Sequence, residues 1–106
     1  MIDVALMDSI FTFCETNIVR DTMGGVIPTR VGSRHPLSAP FDIYKAKDGH
    51  VVIAVANESL MSKLFALMGK SELHQDPRFE VDAKRSENAD ELKVVIEEWL
   101  KDYTVE

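Results

Sequence analysis

The chain has 106 residues, 45% of them hydrophobic, which is enough for one modest core and not for two domains. Its 12 Lys and Arg against 18 Asp and Glu leave a formal charge of −6, a balance that argues against a nucleic-acid backbone as the main partner. The single cysteine, Cys14, excludes an internal disulfide framework and makes the reducing cytoplasm the expected setting; with no leader-like segment and no apolar run of about 18 residues, neither export nor a membrane span is expected.

Residues 2–20 read as one helix, with Ile2, Leu6, Ile10 and Phe13 on one side and Met7, Phe11, Cys14 and Ile18 on the next. A helix apolar around so much of its circumference is normally packed on more than one side, so part of its packing partner is expected to lie outside this chain. Gly24 and Gly25 end it. Residues 26–40 hold Pro28, Pro36, Pro40 and Gly32 and should be irregular backbone, a connection long enough to suggest a functional role.

Residues 41–46 and 50–56 flank Lys47-Asp48-Gly49, and the Asp-Gly pair predicts a β-hairpin with a type I′ turn. Asn57 then offers an N-cap to a helix carrying Leu60, Met61, Leu64, Phe65, Leu67 and Met68, closed by Gly69; Met61 and Met68 are expected in the core. Pro77 bars a helix through "SELHQDPRF". The last helix is expected to start at Asn88, with Glu91 completing a capping box and Leu92, Val95, Ile96, Trp99, Leu100 and Tyr103 at helical spacing. The fold class is therefore α+β: long helix, irregular loop, hairpin, helices. Two strands make a marginal sheet, and the later helices can cover only one of its faces.

Chemistry-bearing motifs are few. His35, His50, His74 and Cys14 lack metal-ligand spacing, so no metal is expected. "VGSRH" lacks the second glycine of a nucleophile elbow, Cys14 reads as a small buried hydrophobe, and Asp3 and Asp8 read as solvated or capping groups. Solvent exposure accounts for His50 and His74.

The stretch "TRVGSRHP" differs in kind. Residues 22–40 contain no Asp or Glu, while Arg30 and Arg34 give them a formal +2 within a chain of −6. Arginine recognises phosphate or carboxylate bidentately, and Gly32 and Ser33 would let backbone N–H groups approach an anion. Alternatively, the arginines pair with surface carboxylates and His35 packs beside Pro36.

The series "IDVALMDSIFTF", "PTRVGSRHPLSAPFDIYKAKDGHVVIAVAN", "LFALMGKSEL", "DPRF" and "AKRSENADEL" resembles the class III coenzyme A transferases, the CaiB/BaiF family. That family includes formyl-CoA and carnitine-CoA transferases and 2-methylacyl-CoA racemases. The combination of G-x-R-H-P, D-G-x-V-x-I-A-V-x-N and D-P-R-F carries the likeness over essentially the whole chain. The resemblance implies an internal portion of a longer enzyme that moves CoA between an acyl-CoA and a carboxylic acid acceptor, with coenzyme A as substrate, no resident cofactor, and two interlocked subunits forming a homodimer.

It further implies an interdomain helix over residues 1–22, an active-site-facing loop over 23–40, and an incomplete small α+β domain over 41–106. Gly32, Ser33, Arg34, His35 and Pro36 would be substrate-binding residues. The formyl-CoA transferase branch has a mobile glycine-rich loop here; Arg34 and His35 stand where that branch has glycines, which fits the broader family better. The catalytic aspartate of the transferases would lie upstream, leaving no catalytic residue in this chain and the chain alone inactive. Two alternatives stay open: a portion of a racemase, or a stand-alone binding module derived from the same domain.

Overall fold

Serine and threonine side chains near the start of the chain bond back onto the helix that carries them. Ser9 Oγ donates to the Ala5 carbonyl at 2.9 Å, and Thr12 Oγ1 donates to the Ser9 carbonyl at 2.7 Å. Such bonds compete with the backbone ladder. The Phe13 and Cys14 N–H groups accordingly fall back on Ile10 and Phe11, three residues earlier, tightening the turn. In the computed structural model of the chain, the single helix expected over residues 2–20 is therefore two: α1, Leu6–Thr12, and α2, Glu15–Thr22. Residues 3–55 and 57–106 are described, so the expected helix start at Ile2 and strand end at Ala56 lie outside the described residues.

The chain divides into two compact units at the Arg30–Val31 junction. In the first, neither α1 nor α2 contains a buried residue, and Leu6, Met7, Ile10, Phe11 and Phe13 are exposed. Cys14, at the junction of the two helices, is half-buried rather than fully buried. Gly25 closes α2 with φ +63°, a conformation that favours glycine.

The second unit holds the core. Strands β1, Phe41–Lys45, and β2, His50–Ala54, pair antiparallel, with Asp42 opposite Ile53 and Tyr44 opposite Val51. The period of two turns Asp42, Tyr44 and the following Ala46 inward and leaves Phe41 and Ile43 outward. Helix α3, Glu58–Leu67, begins at Asn57, whose side chain accepts the Leu60 N–H at 2.9 Å. It is closed by Gly69 at φ +69°.

After a 3-10 turn, Ser71–Gln75, come α4, Asp82–Glu87, and α5, Ala89–Leu100. Helix α5 lies against β1. Met61, Phe65, Phe79, Leu92 and Ile96 are almost fully buried, each worth roughly 1.5–3 kcal/mol of burial. The α+β class and the core placement of Met61 and Met68 agree with the sequence reading.

Three local expectations are corrected. The hairpin turn is not type I′, since neither Asp48 nor Gly49 has positive φ. The C-terminal residues claim this turn instead: the Lys47 N–H donates to the Tyr103 carbonyl and the Val105 N–H to Asp48 Oδ1, both at 2.9 Å. Asn88 does not cap α5 through its side chain; its Nδ2 donates to the Lys84 carbonyl at 2.9 Å, and the Glu91 carboxylate pairs with Arg78 rather than closing a box. His74 is not simply solvated: its ring meets Phe65 edge-on and its Nε2 is buried with no hydrogen-bond partner among the described residues. His50 is exposed, as expected. Among the described residues no helix is long and apolar enough to cross a membrane.

Candidate functional site

Of the stretch "TRVGSRHP", residues 31–36 belong to the second unit and can be described together with it. Gly32 has φ +72°, and a β-carbon built there meets nothing within 4 Å. Backbone conformation, not crowding, therefore selects glycine. The turn it makes delivers Ser33 to β1, where Ser33 Oγ donates to Asp42 Oδ1 at 2.5 Å.

Asp42 also accepts from the Ile43 N–H and from Lys93 Nζ, each at 2.7 Å. Burial pushes its carboxyl up, but the bonds from Lys93, Ser33 and Ile43 outweigh that and hold it below the usual carboxylate range. A carboxylate so stabilised is a weak base, so Ser33 is held by Asp42 and not activated as a nucleophile. Beneath it, burial raises the Tyr44 hydroxyl well above its ordinary value, helped by the negative charge of Asp42 and Glu97.

His35 is fixed three ways. Its N–H donates to the Phe41 carbonyl at 2.8 Å, and its ring stacks on Phe41 with centroids 5.1 Å apart. Its Nδ1 accepts the Leu37 N–H at 3.2 Å. That contact assigns the neutral ring's proton to Nε2, a donor for an external oxygen. The packing partner of His35 is thus Phe41, not only its chain neighbour Pro36.

Arg34 Nη1 lies 3.4 Å from Asp90 Oδ1, a long contact to a side chain that is 95% exposed. Such a surface pair contributes little and leaves the guanidinium available to another anion. Pro36 is half-buried and fixes the backbone beyond His35.

The far end of the segment rests on a buried arginine. Arg85 is 1% exposed; its Nε donates to the Ala39 carbonyl at 3.0 Å, its Nη1 to the Phe79 carbonyl at 2.9 Å, and its Nη2 to Glu58 Oε1 at 2.7 Å. Hydrogen bonding from Arg85 lowers the Glu58 carboxyl below its ordinary range, against a smaller effect of burial. Asp82 Oδ1 accepts the Ser38 hydroxyl and the Ala39 N–H, both at 3.1 Å.

The structure thus brings Gly32, Ser33, Arg34, His35 and Pro36 together in one anchored segment, in which Arg34 has only the long surface contact to Asp90. Sequence reasoning missed the anchors Asp42, Lys93, Asp82 and Arg85. One signal was present: Asp42 alternates with Tyr44 in a strand, and an inward-facing aspartate requires partners. No sequence signal marked Arg85.

A shallow cleft of about 260 Å³, lined by Lys45, Ala46, Lys47, Glu97 and Lys101, contains none of the segment's residues. Glu97 there accepts the backbone N–H of Lys45 at 2.9 Å, and Lys101 pairs with Glu98 of the same helix end. Among the described residues no three His, Cys, Asp or Glu side chains converge as a metal-holding set.

Comparison with known proteins places this geometry in context. The family model described as CoA-transferase family III matches residues 1–106. The chain is 37% identical over 99 residues to an acetyl-CoA:oxalate CoA-transferase of Acetobacter aceti, a match spanning 93% of this chain and 25% of that protein. It is 33% identical over 98 residues to a succinyl-CoA:mesaconate CoA-transferase of Haloarcula marismortui, spanning 92% of this chain and 24% of that one. Among solved structures, a CaiB/BaiF family protein from Brucella suis superposes with a TM-score of 0.71 at 32% identity, over 97% of this chain and 27% of its own. The chain spans about a quarter of the length of these relatives.

Proposed function

The chain belongs to CoA-transferase family III, and from that premise we propose that it serves a whole enzyme that moves CoA between an acyl-CoA thioester and a carboxylic acid acceptor. In this reading residues 32–36 form one wall of the substrate site, and the catalytic carboxylate lies outside the present chain. Residues 1–22 act as an interdomain helical segment, residues 23–40 as the loop facing the site, and residues 41–106 as the covering small domain. The whole enzyme works as a homodimer in the cytoplasm.

One observation carries the assignment. In an acidic chain, the anchored segment presents a guanidinium and an imidazole Nε2, with no strong partner of their own among the described residues, beside a glycine turn. Those groups suit the two charge-rich features of the reaction, an anionic substrate group and a thioester carbonyl whose oxygen gains negative charge as it is attacked. Transfer is preferred to racemisation because the relatives at 37% and 33% identity are named as CoA-transferases.

The test is steady-state kinetics of the whole enzyme with Arg34→Ala and His35→Ala. Loss of Arg34 as an anion contact should raise KM about tenfold or more, and loss of His35 should appear mainly in kcat. Melting temperatures should stay within a few degrees of the parent, since neither side chain is in the core. Wild-type kinetics in both variants, or losses that track unfolding, would overturn the reading.

A further inference from the structure

Two carboxylates, each with a basic partner, bracket the segment that carries Arg34 and His35. At its start, Asp42 takes Ser33 Oγ at 2.5 Å and is held by Lys93 Nζ at 2.7 Å. At its end, Asp82 Oδ1 takes the Ser38 hydroxyl and the Ala39 N–H at 3.1 Å, and lies 3.8 Å from Arg85 Nη2. Arg85 itself donates to the Ala39 carbonyl, so both backbone groups of Ala39 are held by this pair.

We propose that Asp42 and Asp82 are positioning residues that keep residues 33–39 in one conformation, so that Arg34 and His35 meet the ligand from a fixed platform rather than from a closing lid. The ligand-facing part of this inference rests on the function proposed above; the clamp itself does not.

The backbone supports the same conclusion. A lid needs hinges that absorb large changes of φ and ψ at both ends. Between Ser33 and Ala39 there is no glycine, and Pro36 restricts φ midway. The glycine at the leading edge, Gly32, already sits in the left-handed region that its turn requires. At the trailing edge the hinge position is Ala39, buried and bonded through both its N–H and its carbonyl. Opening this end would strip the guanidinium of Arg85, itself 1% exposed, of a partner that water cannot readily replace. Midway, the His35 N–H to the Phe41 carbonyl and the stacked rings tie the segment to β1.

Residue-resolved hydrogen exchange on this chain tests the clamp. The amides of His35 and Ala39 should exchange at least about tenfold more slowly than unstructured backbone. Ser33→Ala should accelerate the His35 amide about tenfold while leaving the Ile96 amide in the core unchanged, and Ser33→Thr, which keeps the hydroxyl, should restore protection. Asp82→Ala should do the same to the Ala39 amide alone. Loop amides at unstructured rates in the parent chain would overturn the clamp. So would a Ser33→Ala variant whose His35 amide is unchanged, or whose Ile96 amide accelerates equally. In the whole enzyme, Ser33→Ala should lower kcat/KM at least fivefold at an unchanged melting temperature. Exchange as stated with wild-type kinetics would overturn the ligand-facing role and leave the clamp standing.

Discussion

An aspartate at an inward-facing strand position must find partners or shift the strand's register, and Asp42 finds three within 2.7 Å. Its carboxyl is depressed below the ordinary value, so the stabilisation it supplies is fully present above the unfolded carboxylate range and is lost as pH falls through the lower folded value. Glu58, depressed by Arg85, adds to stability with the same sign and over the same acidic window. Replacing Lys93 by Met should cost about 1–2 kcal/mol at neutral pH, a figure reduced because the lysine is about one-third exposed. The gap in melting temperature between parent and Lys93→Met should be widest near pH 7 and shrink as pH falls through the lowered folded value of Asp42, where the carboxylate takes up its proton. A gap constant with pH would show that Lys93 acts through its contact with the Tyr44 ring, 5.6 Å away, and not through its pairing with Asp42.

At the scale of elements, periodicity and caps located what they could see. Asn57 and Gly69 bound α3 as their side-chain and φ preferences require, and each yields a number: Asn57→Ala should cost about 1 kcal/mol, and Gly69→Ala about 1–2 kcal/mol for a β-carbon in the left-handed region. Urea unfolding should show both as lowered midpoints at unchanged slope. The break between α1 and α2 escaped the reading because apolar spacing does not register the backward bonds of Ser9 and Thr12. Asn88 misled because a good cap residue can equally sit between two helices, spending its amide on the preceding one. For the candidate site, charge and glycine–proline content drew attention to residues 32–36, which fold as one anchored segment. The anchors stayed hidden because Asp82 and Arg85 are 43 and 46 positions from Ala39 along the chain, a distance that local patterns do not span.

At the scale of the whole molecule, the distribution of apolar surface is uneven in a way that composition does not reveal. The unit over residues 31–106 has a buried core around Phe65, Leu92 and Ile96, while Val52 on the sheet, Leu67 and Val94 stay exposed. The helices of the preceding unit bury none of theirs: Leu6 is 81% exposed, Met7 79% and Phe13 86%. Apolar residues exposed on more than one side of a helix pair exceed what isolated surface hydrophobes explain, and water penalises them by roughly 25 cal/mol per Å². In a solution of this chain a second copy is an available partner, and a two-fold contact between identical helices would cover the same apolar patch on each copy. Sedimentation equilibrium should therefore show association that strengthens with concentration. Phe11→Ser combined with Phe13→Glu should weaken it at least about tenfold, because two aromatic contacts are lost and a charge is placed in the interface. Circular dichroism of the variant should keep the signal of α3 and α5, since those helices draw their stability from the other unit's core. A parent chain that stays monomeric at millimolar concentration with α1 and α2 still helical would overturn the homodimer reading at this surface, and the exposed faces would then have to be covered by chain from the rest of the whole enzyme.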